Sequence, residues 1–542
     1  MHRDVTRLAD REFDLLVVGG GIHGLAAAYD AASRGASVAL VEAGDFGSGA
    51  SFNHLKTVHG GLRYLQTADL KRMRESIVER RTLARIAPHL LTPLPFLMPT
   101  YRKLTRSRLA MQVAFVADGL IGRDRNEGVV PRLHIPMGRT ISRAECLELF
   151  PDVRRPGLTG GALWYDYQMR DTDRLTLGFA LAADRAGACL ANYARAQEAL
   201  KSGSRVVGMR VIDSLSGTQF DVRARVTLNA AGAGAGRMMD AFGVSQPFPL
   251  LKAMNLVTNR PMTGPALASS TNDGRMLFVV PWQGRAVAGT SHGQQTCGPD
   301  DSGVSAEELL SFIEEVNEAF PAMKLTPDDV TLVHRGVVPA ARNRRGELAL
   351  EGHFQIRDHA HAGVEGAVSL VGVKYTTGRG VAAEAVNMVM RLLGRKAPAR
   401  TADLPLPGGD GPDIDVLQDE LRREAPSGID DQVACQLVET YGSEYRAITS
   451  LLAEKPVLAR RVAPGVPVIR AQVVHAIRHE MACTLIDVVT RRVPLGAAGH
   501  PGCEVAEGCA AVMAEELVWS QARVEQEEAT LAAFYQPVRV GA

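Results

Sequence analysis

"DLLVVGGGIHGLAAAYDAASRG", residues 14–35, opens with an apolar run that suits a strand buried on both faces. It passes directly into Gly19, Gly20, Gly21 and Gly24, spaced G-x-G-x-x-G, and then into an alanine-rich helical stretch that Gly35 stops. "SVALVE" follows as a second strand ending in Glu42. Strand, glycine turn, helix, strand and acid, in that order, form the context that a dinucleotide-binding fingerprint requires. The backbone from Gly19 through Ile22 and His23 to Gly24 can approach a pyrophosphate held on the helix N-terminus, and Glu42 can accept from a ribose hydroxyl. An acid there also repels a 2′-phosphate, which disfavours NADP. The expected fold class is α/β, with a Rossmann-like domain at the start.

NAD and FAD stay open on the fingerprint alone. Three later stretches favour the longer cofactor. "AGDFGSGAS" (43–51) is a small-residue loop where a crossover helix would stand in a simple NAD domain, and it brings in Ala43, Ser48 and Ser51. "RVTLNAAGAGAG" (225–236) is a strand entering a glycine-rich turn at Ala231 and Gly232. "AVSLVGVKYTTGRGVAAEAV" (367–386) is a strand, a turn at Gly372, and a helix whose N-terminus carries Lys374, Tyr375 and Thr376. Such a terminus stabilises negative charge on a reduced ring system. Ala196 is counted with the cofactor-lining residues. No second G-x-G-x-x-G follows, so no separate nicotinamide site is expected.

The chain has 542 residues, more than one core can serve. Lys+Arg of 61 against Asp+Glu of 60 leaves a net charge of +1, so no global field recruits nucleic acid. Seven dispersed cysteines without a CxxC pair read as reduced thiols, with neither a disulfide framework nor a zinc site. The charged N-terminus lacks a signal-peptide core, and no run of 18 apolar residues offers a membrane span. A cytoplasmic protein is expected. The histidine pairs in "DHAHAG" (358–363) and "HAIRH" (475–479) read as surface residues and no metal is assigned, while the three tryptophans read as packing.

"KTVHGGLRYL", residues 56–65, puts Lys56, His59, Gly60, Gly61, Arg63 and Tyr64 on a permissive backbone. Together with "APHLLTPLPFLMP", "FVVPWQGRAVAGTS", "LVGVKYTTGRGVAAEA" and "RHEMACTLIDVVTRR", it makes the chain resemble the FAD-dependent glycerol-3-phosphate dehydrogenases of the glutathione-reductase and D-amino-acid-oxidase superfamily, over nearly its whole length. That resemblance implies that His59, Gly60 and Gly61 lie against the isoalloxazine and that Arg63 and Tyr64 point into the substrate pocket. It also implies that Lys374 stands near the flavin and that Arg357 is a further substrate arginine. Physical chemistry agrees: paired glycines allow close approach to a flat ring, and an arginine offers a planar fork for an anion.

Three positions depart from the family pattern. Val338 stands where an arginine is usual, with Arg335 and Arg342 flanking it; Asn255 replaces a histidine, and His292 replaces an acid. The resemblance implies oxidation of sn-glycerol 3-phosphate to dihydroxyacetone phosphate, with electrons passing to quinone or another acceptor. A different phosphorylated alcohol, a 2-hydroxy acid or an amine on the same machinery stays open, as does a flavin-carrying subunit without turnover. His59 and His292 are rival bases. The small-molecule substrate is expected to be phosphorylated, and homo-oligomers are compatible with the sequence.

The expected organisation is a discontinuous FAD domain (10–90, 160–245 and 345–395) and an antiparallel substrate-binding cap (91–159 and 246–344). A linker (396–413) and a C-terminal helical domain (414–536) follow. Residues 99–125, basic with an apolar face, correspond to the region through which the resembled enzymes sit on a membrane. An anionic membrane surface on the inner face of the plasma membrane is thus an expected partner.

Overall fold

The strand Glu12–Val18 occupies the middle of a sheet in which Leu15 pairs with Val226 on one side and Val38 on the other, both in parallel. The computed structural model describes residues 1–536 except 103–106, 172, 246, 247, 272, 273, 343–345 and 347. Outward from Glu12–Val18 the sheet adds Gln219–Asn229, Ala367–Val371 and the antiparallel edge Gln355–Asp358, and on the other side Val38–Val41 and Cys189–Ala191. All six side chains from Phe13 to Val18 are buried, as a strand covered by helices on both faces requires. The helix Ile22–Ser33 packs on this sheet with ten buried positions, mostly alanine, whose small side chains let helix and strand backbones come close.

A second sheet runs Leu348–Leu350, Val330–Arg342, Leu250–Pro261, Arg285–His292, Met276–Trp282, Ala266–Ser270, Leu91–Tyr101, Leu158–Met169 and Thr57–Val58. Two expected boundaries shift here. Leu158–Met169 pairs along its length with Leu91–Tyr101, so the segment beginning at 160 starts in this sheet. Leu348–Leu350 pairs with Val330–Arg342, so the segment beginning at 345 does too. The first shift has a steric reason. A side chain at Gly160 would stand 2.2 Å from the Ile141 carbonyl oxygen and one at Gly161 2.8 Å from Leu97, so only glycine lets the neighbouring strands close on both sides.

Beyond residue 413 the chain is helical: Ile414–Glu424, Asp431–Tyr441, Tyr445–Glu454, Arg470–Glu480, Cys503–Leu517 and Gln521–Phe534. The last two, continuous by pattern, are broken where Val518 turns left-handed and Ser520 caps the next helix. The segment expected to be a linker is a fitted strap. Leu406 is fully buried and its N–H donates to the Ile86 carbonyl at 2.8 Å, while a side chain at Gly408 would reach 2.3 Å from the Tyr441 carbonyl oxygen. The histidine pairs are not both on the surface. His359 and His475 are buried, His359 against the Ser369 hydroxyl at 2.8 Å and His475 beside Glu480. Trp282 packs in the core and donates to the Met169 carbonyl.

One contact holds the fingerprint together: a Cβ at Gly24 would lie 1.8 Å from the Gly19 carbonyl oxygen. Gly24→Ala should therefore push the helix off the strand and cost about 2–3 kcal/mol. Thermal unfolding of the purified variant checks it; an unchanged Tm would show that helix and strand can separate freely.

Candidate active site

A cavity of about 980 Å³ opens at the carboxyl ends of the parallel strands, with Val18, Val41 and Ala230 in its wall. That is the upper end of ligand-pocket sizes, about 300–1,000 Å³. Gly19 takes φ +111°, and a Cβ there would meet the Ala230 carbonyl oxygen at 2.5 Å, so the two strand ends approach as closely as backbone can. Gly21, Ile22 and His23 line the cavity behind Gly19. The helix they open has no side-chain cap, which leaves its N-terminus to an anion. Ser51 Oγ accepts from the Ile22 N–H at 2.9 Å and ties the 43–51 loop to this turn. Ala43, Ser48, Ala196, Ala231 and Gly232 complete that part of the wall.

Gly20 and Gly24 are spacers, not wall. Gly20 lets Glu42 and Phe46 approach, since a Cβ there would lie 2.8 Å from one and 2.9 Å from the other. Glu42 lines the cavity as expected, but its carboxylate already accepts from the Gly20 N–H at 2.5 Å and the Gly44 N–H at 2.8 Å. Burial raises its pKa in spite of these bonds. An uncapped helix N-terminus, an acid at the second strand end and a glycine-walled cleft of this size fit a dinucleotide such as FAD.

The "HGG" turn is held by a network of its own. His59 Nδ1 lies 3.1 Å from Asp166 Oδ2, His59 Nε2 lies 2.7 Å from the Thr57 hydroxyl, and the His59 N–H donates to Thr376 Oγ1 at 3.1 Å. Asp166 also accepts from the Gly60 N–H at 2.7 Å and from the Arg80 guanidinium. Burial pushes the Asp166 carboxyl up, but His59 and Arg80 outweigh it and hold the group below its usual range. A Cβ at Gly60 would sit 2.3 Å from Arg80, and one at Gly61, whose φ is +82°, 2.9 Å from the Tyr64 ring. The two glycines therefore make room for Arg80 and Tyr64. Gly60, Gly61 and Thr376 are buried and outside the cavity wall, while the His59 side chain stays 39% exposed.

His292, the rival base, lines the cavity, and among the described residues its ring has no hydrogen-bond partner. Burial first, then Arg275 and Arg63, bring its pKa down to about 4. Beside it the Tyr64 ring gathers cations: Lys374 Nζ at 4.1 Å, Arg72 at 4.7 Å and Arg63 at 5.3 Å from the centroid. Burial opposes ionisation of the Tyr64 hydroxyl, yet Arg63 and Lys374 hold it below its ordinary range. Burial likewise depresses the Lys374 ammonium, with Tyr64 opposing the shift. Lys374, Gly372 and Tyr375 are in the wall, while Arg63 is exposed just outside it.

The departures cluster on the same cavity. Val338, Asn255 and His292 all line it, and so does Arg335. Arg342 is exposed and donates to the Gly346 carbonyl, away from the site. Arg357, expected at the substrate, is off the wall and donates to Gln355 on its own strand. Asn255 is structural: its Oδ1 accepts from the Thr290 hydroxyl at 2.7 Å and its Nδ2 donates to the Asn53 carbonyl at 3.3 Å. Sequence reasoning missed Asn53 and His54. The Asn53 side chain accepts from the Arg335 N–H at 3.1 Å, and the His54 ring stacks on Tyr375 at 4.3 Å. Their position just after Ser51 was the available signal. Asp166 and Arg80 carried none, lying far along the chain from His59.

A family model described as FAD dependent oxidoreductase matches residues 14–388, and one described as the C-terminal domain of alpha-glycerophosphate oxidase matches 399–524. The chain is 30% identical to a glycerol-3-phosphate dehydrogenase from Synechocystis, over 97% of this chain and 96% of that one. It is 32% identical to the human mitochondrial glycerol-3-phosphate dehydrogenase, over 96% of this chain and 73% of that one. A glycerol-3-phosphate dehydrogenase from Bacillus halodurans, solved with FAD, superposes with a TM-score of 0.76 at 24% identity, covering 98% of this chain and 96% of that chain.

With a pKa of about 4, His292 keeps its free lone pair at neutral pH and loses it only as pH falls through that value. The acid limb of kcat/KM should therefore lie below about pH 5, and His292→Asn should cost about a hundredfold. An acid limb near the ordinary imidazole value, or full activity in the variant, would show that another group takes the proton.

Proposed function

This chain belongs to the FAD-dependent oxidoreductase family, and from that premise we propose that it oxidises the secondary hydroxyl of sn-glycerol 3-phosphate to dihydroxyacetone phosphate. The observation that carries the reading is the cationic cluster around Tyr64 beside His292. When bound, FAD supplies the acceptor for the hydrogen and two electrons that leave the substrate carbon. Lys374 stabilises the charge that develops on the substrate oxygen, and His292 takes the hydroxyl proton. Arg63 and Arg335 offer planar forks to the phosphate, where Val338 contributes no charge. That missing charge favours one second reading, a different alcohol on the same machinery.

Anaerobic addition of glycerol 3-phosphate should bleach the flavin absorbance. Lys374→Ala should retain FAD and lose about ten- to a hundredfold in kcat/KM, the worth of one charge-assisted hydrogen bond. Val338→Arg should tighten glycerol 3-phosphate binding. Absence of bleaching, in protein that holds FAD, would exclude this substrate.

No helix among the described residues is long and apolar enough to cross a membrane. The proposed contact is peripheral, on the inner face of the plasma membrane, with a quinone as electron acceptor. It is supported by the helix Arg108–Ile121, whose Leu109, Val113, Val116 and Leu120 form a stripe 60–74% exposed. Exposed Arg102 and Arg123 flank it, while Lys103 and Arg106 of the same basic run lie outside the described residues. An apolar stripe edged by cations matches an anionic lipid surface. The protein should float with anionic liposomes at low salt, and Val113→Glu with Val116→Glu should abolish flotation without loss of FAD. A wild-type chain that stays wholly in the aqueous fraction would refute the contact.

A further inference from the structure

"RHEMACTLIDVVTRR" (478–492) is far in sequence from the cavity and supplies no residue to its wall. It nevertheless ends in charges that are almost completely buried. Asp45 accepts from Arg491 Nε at 2.6 Å and from Arg492 Nη1 and Nη2 at 2.8 and 2.7 Å. A fourth donor, Asn192 Nδ2, reaches it at 3.0 Å. Asp487 accepts from Arg491 Nη2 and from the Tyr193 hydroxyl, each at 2.7 Å. The loops so held are then tied to each other, Tyr193 N–H to the Gly44 carbonyl and Ala194 N–H to the Glu42 carbonyl.

We propose that the segment 487–492 is a clamp on the cofactor site: through Asp45 and Tyr193 it fixes the loop 42–51 and the start of the strand Ala194–Ser202, both of which supply residues to the cavity wall. Asp45, Asp487, Arg491 and Arg492 are positioning residues, since Glu42, Ala43, Ser48, Ser51, Arg195 and Ala196 are in the wall and they are not. Docking of the helical region by itself does not call for this arrangement. Its apolar core already buries many side chains, and each charge withdrawn from water costs free energy unless fully paired. A second buried pair between the two regions, Arg174 with Glu480 at 2.8 Å, belongs to the same network, since Arg174 also donates to the Arg492 carbonyl at 3.2 Å and Arg492 Nε to the Glu480 carbonyl at 3.1 Å. Cofactor binding and clamp closure are therefore linked, each favouring the other to the same extent.

The inference rests on FAD occupying the cavity, and its test separates the two claims. Full-length protein stripped of flavin is titrated with FAD by fluorescence quenching, and its thermal unfolding is followed without FAD. Asp45→Asn, which keeps the shape and removes the charge, should raise the Kd about tenfold or more. Glu439→Gln, the same chemical change in the Arg170–Glu439 pair, which bonds neither cavity segment nor Arg492, should leave the Kd within about twofold. If Asp45→Asn does not fold, Arg491→Lys keeps the charge and loses the fork. It should raise the Kd severalfold with an unchanged far-UV spectrum. An unchanged Kd in the loop variant that folds, or equal weakening in Glu439→Gln, overturns the clamp. A wild-type chain that takes up no FAD overturns the cofactor reading instead.

Discussion

Everything at the cavity depends on how closely two strand ends and one helix start can approach. The Ala230 N–H donates to the Val18 carbonyl at 2.8 Å, Gly19 turns into the left-handed region beside it, and Gly24 rests on the Gly19 carbonyl. A side chain at Gly19 or Gly24 would force these backbones apart, its Cβ standing 2.5 Å or 1.8 Å from a carbonyl oxygen. Because they are held so tightly, the helix N-terminus is aimed into the cleft with no side chain of its own to satisfy it. The cleft is thus a by-product of glycine packing, and the ligand completes an unfinished helix end.

Beyond that point the molecule holds itself with buried ion pairs. Asp166 with Arg80, Glu79 with Arg379, Arg174 with Glu480 and Asp45 with two arginines are all removed from water. None is a simple source of stability, because desolvation offsets the attraction. Their common property is direction: each fixes where one segment sits against another distant in sequence. Packing of alanine and valine could hold the same surfaces together without specifying their register. His59 shows the effect at the site. Its imidazole is oriented by an aspartate that is itself oriented by an arginine and a glycine amide.

The fold was legible where its cause was local. The fingerprint, the helix it opens and the strand ending at Glu42 are all consequences of spacing within thirty-odd residues, and the structure has them in place. What could not be read were partners chosen by the tertiary fold. The strand Leu158–Met169 has no alternation that says which sheet it joins, and only the glycines at 160 and 161 hint at its crowded neighbours. Nothing near His59 in the sequence announces Asp166 as its partner, nor does anything near Glu42 announce that the amides of Gly20 and Gly44 orient its carboxylate. Arg335 and Val338, three residues apart on one strand, both reach the cavity.

The order of strands in the first sheet has a consequence for how the chain is made. Neighbours in that sheet come from residues 12–18, 219–229 and 367–371, while much of the chain between them builds the other sheet. A ribosome delivering the chain from its N-terminus exposes the central strand long before its second neighbour exists. The apolar edge from Phe13 to Val18 must then wait through some two hundred residues of synthesis, about ten to forty seconds at ordinary elongation rates. Such a strand is an aggregation hazard while it waits, and its closure is entropically expensive because the partners are so far apart. The strap at Leu406 and the arginines at 491 and 492 emerge later still. The nascent protein therefore reaches its finished shape from the C-terminal end, and it depends on being shielded until then.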